Sequence, residues 1–415
     1  MASETSSLYQ PLNAGSVLAY AGRRAELRGI FREGEALEAE EVGDGNLNLV
    51  FKVRAKADPR RTVVLKQALP YLRLVGEGWP LPTDRARIEA ETLKLQYQFA
   101  PEHTPKVFFY DPEMFLTGMQ NLDRHIILRQ GLMRGIKYPR LAEHIGVFMA
   151  RMLGGTCDLT LDYKTKKEMV MRFTNPELCK ITEDLVFTEP YRPTPRNGYH
   201  RELEAQVRAL QADESLRVEV AQMKEKFMTH AQALVHGDLH TGSIMVNAEE
   251  TYAIDPEFAF YGPMGFDVGA VIGNLLLSYA SHEVRTADPA RRAEFRQYLT
   301  GTVIELWEVF TREFQRVVWE KVDAVNFPRA YQEDYMRRIL QDAAGMGACK
   351  MMRRIIGLAG VADIRGIEDV HARSVAASLA LNMGQALLKQ RREFGTIHEL
   401  VEAATACRPS YPWKN

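Results

Sequence analysis

Residues 236–257 read HGDLHTGSIMVNAEETYAIDPE, and this stretch decides how the rest of the chain is interpreted. It carries three acidic side chains that matter here, Asp238, Asp255 and Glu257. The runs SIMVN and TYAID are typical of two short strands, and NAEE is typical of the turn between them. Such a hairpin would bring the three carboxylates to one end. Because unneutralised carboxylates repel one another and burial raises their pKa values, a divalent cation is expected among them.

Magnesium is the cation that this acidic group favours. It accepts one or two carboxylates and completes its coordination shell with substrate phosphates. We therefore predict that Asp255 and Glu257 hold Mg²⁺ and that Asp238 is left free as a base. His236 and His240 stand four residues apart, but on a loop that spacing has no fixed geometry and does not indicate zinc. We interpret His236 as a brace that holds the loop through hydrogen bonds.

The composition limits the class of ligand and the number of domains. A chain of 415 residues predicts two lobes or domains. Its 53 basic residues are nearly matched by 54 acidic ones, which argues against nucleic acid and favours a small ligand. The N-terminal residues have no apolar signal segment, so we expect a cytoplasmic protein. The apolar stretch 264–280 contains Asp267 and Asn274, which predicts a buried helix and no membrane span.

The predicted elements change in character near residue 120. NLNLVFKVRA and RTVVLKQ predict an antiparallel hairpin, TDRARIEAETLKLQYQF predicts a helix, and KVFFYDPEMFLTGM predicts two further strands. Beyond this point helical periodicity dominates, and SIMVN and TYAID are the only strands expected. The predicted fold class is therefore α+β, with a small β-rich lobe over 1–120 and a larger, mostly helical lobe over 121–415.

A glycine-rich turn at the start of the predicted strand NLNLVFKVRA is a candidate phosphate site. The turn consists of Gly43, Asp44, Gly45 and Asn46. Its backbone N–H groups could approach phosphate oxygens closely, and Asn46 and Asn48 add polar side chains. An ordinary hairpin turn accounts for the same letters. Lys66 favours the phosphate interpretation, because a lysine that ends the apolar run VVLK needs an anionic partner such as a triphosphate or a helix glutamate.

The order of glycine turn, strand lysine, helix glutamate, hinge, HGD loop and metal carboxylates resembles that of protein kinases and of the aminoglycoside and choline kinase group. Further stretches make the methylthioribose kinase family the nearest match, from about residue 40 to about residue 365. They are KQALPY, TDRARIEAE, FTNPELC, LVFTEP, HGDLHTGSIMV, IDPEFAFYGPMGFDVGAVIGNLL and RRIIGLAGVADI. The resemblance implies a two-lobed kinase-like fold that phosphorylates the 1-hydroxyl of 5-methylthioribose with ATP and Mg²⁺. It also implies a place in methionine salvage and a homodimer.

The resemblance assigns roles to residues of the first lobe. Lys66 would contact the ATP phosphates and pair with Glu89, with Glu91 as the alternative partner. The interlobe hinge would bind adenine through the backbone of Met119, Gln120 and Asn121. Trp79 could close over the substrate, although local packing of a loop tryptophan explains it equally well.

The second lobe receives the remaining roles by the same resemblance. Asp238 aligns with the catalytic base that contacts the sugar, and Asp255 with Glu257 aligns with the metal-binding pair. Asp267 would accept hydrogen bonds from the HGD loop. Ser243 stands where the wider kinase group has an asparagine, which puts a second metal contact in doubt.

Two basic residues and two alternative functions complete the predictions. Arg353 and Arg354 could form a solvated helix face, whereas the resemblance places them at the sugar site.

One alternative function is a kinase for another small alcohol of the aminoglycoside, choline or homoserine type, and the arginine pair argues against a cationic alcohol. The other is a non-catalytic nucleotide-binding pseudokinase. Lys66, Asp238 and Asp255 together argue against a pseudokinase.

Overall fold

A computed structural model describes residues 9–42, 47–72 and 76–411 of the chain. The chain forms two compact units. The smaller unit contains the described residues up to Arg124 together with the segment Ile254–Ala259, and the larger unit contains His125–Ala253 and the chain from Phe260 onwards. The segment Ile254–Ala259 carries Asp255 and Glu257, which the sequence boundary at residue 120 assigned to the helical lobe.

The smaller unit is built on an antiparallel five-stranded sheet in the order β1-β2-β3-β7-β6. Its strands and helices are α1 (Ser16–Arg23), β1 (Leu37–Glu41), β2 (Asn48–Ala55), β3 (Asp58–Ala68), β4 (Tyr71–Leu72), β5 (Gly76–Pro80), α2 (Arg85–Phe99), β6 (Val107–Asp111) and β7 (Leu116–Met119). Alternation along β3 buries Leu65 in the core that α1 covers. The next residue, Lys66, therefore projects from the opposite face of the sheet.

The larger unit is mostly helical, so the predicted α+β class is confirmed. Its helices are α3 (Leu128–Met133), α4 (Leu141–Gly155), α5 (Tyr163–Arg172), α6 (Pro176–Phe187), α7 (Glu204–Ala212), α8 (Glu214–Thr229), α9 (Gly265–Arg285), α10 (Pro289–Phe314), α11 (Arg329–Ile356), α12 (Ala362–Arg365), α13 (Val370–Gln390) and α14 (Ile397–Ala406). Its strands are β8 (Ile126–Ile127), β9 (Ala233–Val235), β10 (Ile244–Val246), β11 (Thr251–Ala253) and β12 (Phe260–Gly262).

The hairpin predicted within the opening stretch is present. Strands β10 and β11 pair antiparallel, with Ile244 opposite Ala253. The expectation that these were the only strands of the second half was wrong, because β8 pairs with β10 and β9 pairs with β12. Strands of two or three residues are too short for an alternating pattern, so their sequences gave no signal.

Helices α9 and α11 pack backbone against backbone at glycines. A Cβ atom on Gly269 would lie 2.4 Å from the carbonyl oxygen of Ala343, and one on Gly347 would lie 2.6 Å from that of Gly269. The predicted buried helix is thus α9, which carries Asp267 in its first turn. Within the described ranges, the structure contains no helix with the length and hydropathy needed to cross a membrane.

Candidate active site

An ionic cluster in the smaller unit is centred on Lys66. Its Nζ donates to Glu89 Oε1 at 2.8 Å and forms an ion pair with Asp255. Burial alone would lower the pKa of Lys66, but the charges of Asp255 and Glu89 outweigh it, so the pKa is raised. Glu91, the alternative partner, lies 3.1 Å from Arg87. The lysine partner on α2 is therefore Glu89.

Asp255 and Glu257 have different surroundings within this unit. Asp255 has a left-handed backbone with φ of 70°, and its side chain is 44% exposed. Glu257 is buried, and its Oε2 accepts from Asn48 Nδ2 at 3.1 Å and lies 3.3 Å from Arg85 Nε. Arg85 also donates to Asn48 Oδ1 at 3.0 Å, so Asn48 links the two. No pattern in the sequence indicates this role of Arg85.

The donor set fits a magnesium ion. Glu89, Asp255 and Glu257 bring three carboxylates to a cluster whose cations are Lys66 and Arg85. Burial raises the pKa of Glu89 to about 8 despite the lysine, and burial also raises that of Glu257. In the described part of the chain, no three or more His, Cys, Asp or Glu side chains are arranged so that they could hold a metal ion by themselves. A hard cation held by Asp255 and Glu257 and completed by phosphate oxygens would suit this pair.

The other residues predicted to bind the nucleotide differ in what the structure describes of them. Gly43, Asp44, Gly45 and Asn46 lie outside the described residues. Met119 ends β7, the backbone N–H of Gln120 donates to the carbonyl of Lys106 at 2.8 Å, and Asn121 Nδ2 donates to Thr62 Oγ1 at 3.2 Å. The adenine contact of this hinge stays a prediction. Trp79 was expected in a loop, but it lies half-buried in the short strand β5.

In the larger unit, Asp267 holds the HGD loop. Its Oδ2 accepts from the backbone N–H of His236 at 2.5 Å, and its Oδ1 accepts from that of Gly237 at 3.1 Å. Gly237 has a φ of 82°, a conformation that favours glycine. His236 Nδ1 in turn accepts from the N–H of Asp238 at 3.3 Å. Asp267 and His236 therefore both accept hydrogen bonds from the backbone of the HGD loop.

Two side chains hold the carboxylate of Asp238, one at each oxygen. Lys350 Nζ donates to Oδ1 at 3.2 Å, and His240 Nε2 lies 3.3 Å from Oδ2. The backbone N–H of Gly242 donates to His240 Nδ1 at 3.0 Å, so this nitrogen accepts and the ring hydrogen is on Nε2. His240 is therefore a neutral donor to Asp238.

The protonation states agree with this arrangement. Burial lowers the pKa of His240 to about 4, despite the attraction of Asp238. Burial would raise the pKa of Asp238, but its interactions with His240 and Lys350 hold that pKa well below its ordinary value. Asp238 is thus an ionised acceptor at neutral pH.

Helix α11 supplies a basic face toward Asp238. Lys350, Arg353 and Arg354 follow i, i+3, i+4 spacing, which places them on one side of the helix. Arg353 is 9% exposed, and its Nε has no hydrogen-bond partner among the described residues. Burial lowers the pKa of Arg353 and that of Arg354. The alternative of a solvated helix face is therefore wrong for Arg353.

An additional ion pair, which no sequence pattern indicates, extends the basic cluster. Arg129 Nε lies 3.0 Å from Asp363 Oδ2, and Arg129 Nη2 donates to Asn274 Oδ1 at 3.1 Å. With Lys350, Arg353 and Arg354, the described cations of this region outnumber its carboxylates. The region is therefore suited to a neutral or anionic ligand and disfavours a cationic one.

Ser243 is occupied by a neighbour on its own loop. Its Oγ lies 3.1 Å from His240 Nδ1, and its N–H donates to the carbonyl of His240 at 2.8 Å. The hydroxyl therefore supports the histidine that contacts Asp238. Ser243 thus has a local structural role at the position where the wider kinase group has a metal-binding asparagine.

The chain is similar to known phosphotransferases along most of its length. Residues 38–309 match the model of the phosphotransferase enzyme family. A methylthioribose kinase from Geobacillus kaustophilus is 43% identical over 95% of this chain and 96% of its own length. One from Klebsiella pneumoniae is 42% identical over 95% of this chain and 98% of its own. A choline kinase structure from Cryptosporidium parvum has a TM-score of 0.49 at 10% identity, covering 91% of this chain and 95% of its own.

Proposed function

This chain belongs to the methylthioribose kinases of the phosphotransferase enzyme family, and we propose that it transfers the γ-phosphoryl group of ATP to the 1-hydroxyl of 5-methylthioribose. The products are 5-methylthioribose 1-phosphate and ADP. That the chain is a small-molecule kinase follows from its family. ATP as donor, the sugar as acceptor and the position of transfer belong to the proposal.

The observation that carries the proposal is the ionised Asp238 in a buried basic cluster. A substrate hydroxyl needs an acceptor within hydrogen-bond reach, and a carboxylate kept ionised at neutral pH can orient it. Lys350 at one oxygen and His240 at the other keep the carboxylate in a single orientation. Asp238 is accordingly assigned as the residue that orients the acceptor hydroxyl and receives its proton.

The transfer is a direct displacement. A bond forms between the sugar O1 and the γ-phosphorus as the bond from that phosphorus to the β–γ bridging oxygen breaks, and ADP keeps the electron pair. The hydroxyl proton passes to Asp238 and then to water. Because the low pKa of Asp238 makes it a weak base, the proton moves late, after bonding to phosphorus has acidified the hydroxyl.

The basic face of α11 supports a neutral sugar as acceptor. The buried guanidinium of Arg353, with its free Nε, can donate to sugar hydroxyls or to the transferring phosphoryl group. Arg354 adds positive charge beside it. A cationic acceptor, such as choline or an aminoglycoside, would be repelled by this cluster. Trp79 is a further proposed contact to the substrate.

The smaller unit is assigned to the nucleotide. Lys66, held by Glu89 and Asp255, would contact ATP phosphates, while Asn48 keeps Glu257 in place. Asp255 and Glu257 would hold Mg²⁺, which when bound offsets phosphate charge. The glycine turn at 43–46 would approach the phosphates, and the hinge Met119, Gln120 and Asn121 would bind adenine.

A role in methionine salvage, a cytoplasmic location and a homodimer belong to the same proposal. The pathway and the homodimer come from the family resemblance. Sedimentation of the purified chain would test the dimer, and loss of growth on methylthioribose after deletion of the gene would test the pathway.

A coupled ATPase assay with Mg²⁺ tests the acceptor. The panel contains 5-methylthioribose, ribose, choline, homoserine and kanamycin. We expect turnover with methylthioribose and the formation of its 1-phosphate. Turnover with a different alcohol would reject methylthioribose as the acceptor and would leave the assignment of the nucleotide-binding residues unchanged. Nucleotide binding without any turnover would instead favour the pseudokinase.

A further inference from the structure

Lys350 is a buried charge for which the transfer reaction has no direct use. It is 3% exposed on α11. Its Nζ donates to Asp238 Oδ1 at 3.2 Å and to the carbonyl of Gly237 at 3.4 Å, and it lies 4.2 Å from the centre of the Phe266 ring. Burial of an ammonium group is costly unless it is paired. The contact with Asp238 is the charge pairing that this lysine makes at hydrogen-bond distance among the described residues.

A second buried lysine shows what a structural role looks like in the same unit. Lys166 on α5 is 8% exposed, and its Nζ donates to the carbonyls of Ala231 and Gln232 at 2.8 and 3.1 Å. It also lies 5.0 Å from the centre of the Tyr261 ring. Its nearest carboxylate, Asp158, lies at 3.7 Å and is largely exposed. Lys166 thus ties loops together, whereas Lys350 contacts the proposed base.

We propose that Lys350 is a positioning residue for Asp238, whose ammonium keeps the carboxylate ionised and fixes its rotation together with His240. The proposal rests on the function assigned to Asp238 above. One donor at each oxygen defines the plane of the carboxylate, because rotation about its terminal bond would break both contacts. The remaining lone pairs of the Asp238 carboxylate then keep a fixed direction, in which they can accept from the acceptor hydroxyl.

Other charged and titratable groups also face this site. They are His236 and His240 on the loop of Asp238, Arg353 and Arg354 on α11, Asp267 on α9, and Arg129 on α3. Among these, His240 is neutral and Arg354 acts without a hydrogen bond to Asp238 in the described structure. Lys350 is therefore the charged donor in direct contact, and its removal should change Asp238 more than the removal of either arginine.

The test compares K350M with K166M, which remove the two buried ammonium groups while keeping similar side-chain volume. For each purified variant, kcat and KM are measured between about pH 3 and 9, and nucleotide binding normalises the concentration of folded protein. We expect K350M to lower kcat about tenfold or more with little change in KM for ATP. Its acid limb should move to higher pH by roughly 1 to 3 units, because loss of the cation raises the pKa of Asp238.

K350R should restore part of the kcat, since it keeps the charge, and K166M should keep the pH profile of the unmodified enzyme. If the acid limbs of K350M and K166M coincide with that of the unmodified enzyme, Lys350 has a structural role only and the proposal is wrong.

A second measurement needs no substrate and separates this proposal from the proposed function. In a double-mutant cycle of unfolding free energies, K350M should be less destabilising in the D238N background than in the unmodified chain. Equal costs in both backgrounds would reject the coupling of Lys350 to Asp238. Lack of methylthioribose turnover by the unmodified enzyme would reject the proposed acceptor alone.

Discussion

Glu89 is the helix carboxylate that binds Lys66, with its Oε1 2.8 Å from the lysine Nζ. Glu91 follows two residues later, which turns its side chain about 200° around α2. It contacts Arg87 at 3.1 Å, on the same helix. These two glutamates therefore provide a matched pair, one in the ionic cluster and one in a local pair along the helix.

Substitution of Glu89 by alanine should impair ATP use. Removal of one carboxylate leaves the buried ammonium of Lys66 without one of its partners and less firmly held. We expect kcat/KM for ATP to fall about 10- to 100-fold, as measured by initial rates at varied ATP. The control E91A should change it by less than about twofold, because single charge pairs along a helix contribute little. Equal effects of E89A and E91A would contradict the assignment.

Replacement of Asp238 by asparagine should abolish turnover and preserve nucleotide binding. The amide cannot accept the hydroxyl proton, so kcat should fall by roughly 10² to 10⁴. Calorimetric titration with ADP should give an affinity close to that of the unmodified enzyme. The control D288N changes an exposed aspartate that caps α10 and should leave kcat intact. Turnover retained in D238N would exclude this residue as the base.

Replacement of Asp255 by asparagine should change the magnesium requirement. Asp255 is half-exposed and is the more accessible carboxylate of the proposed pair. We expect the Mg²⁺ concentration for half-maximal activity to rise about tenfold or more, measured at a fixed concentration of ATP. D58N, which alters an aspartate paired with Arg60 on the surface of the same unit, serves as the control. If the magnesium dependence of D255N equals that of the unmodified enzyme, the metal is held by other ligands.

Stability should fall in mild acid because of His240. Burial lowers the pKa of this ring from 6.5 to about 4 in the folded state. Between these values the unfolded chain binds more protons than the folded chain, so stability is complete above pH 6.5 and is lost as the pH falls toward 4. One such group contributes a slope of up to about 1.4 kcal/mol per pH unit.

Urea unfolding of H240N across this pH range should therefore give a shallower dependence. Asparagine does not titrate, while its amide can still donate to Asp238. H398N removes a largely exposed histidine and should leave the slope unchanged. If H240N and the unmodified protein keep parallel curves, His240 does not remain neutral on folding as inferred here.

Elements with strong local patterns were predictable from the sequence. The alternation around Phe51 and Leu65 gave β2 and β3, and the apolar run from Met264 gave α9, including the buried Asp267. Strands β8, β9 and β12 were not predicted, because three residues or fewer are too short to show the alternation of apolar and polar residues. The family resemblance located Glu89 as the partner of Lys66, where spacing alone left Glu91 open.

Contacts that depend on distant parts of the chain were not predictable. Lys350 lies more than one hundred residues after Asp238 in sequence, and nothing in GMGACKMMRRII marks it as a neighbour of the HGD loop. The available signal was a lysine three and four residues before two arginines, in the otherwise apolar C-terminal half of α11. The pair of Arg129 and Asp363 joins α3 and α12 and was invisible for the same reason.

The glycine contact between α9 and α11 has a consequence for the evolution of acceptor preference. Helix α9 carries Asp267, which anchors the HGD loop, and α11 carries Lys350 and the arginines. A methyl group at Gly269 or Gly347 would separate these helices and move the basic face away from the loop. We therefore expect that a change of acceptor preference arises from substitution of side chains along α11. In a randomised library selected on another alcohol, every active clone should retain both glycines.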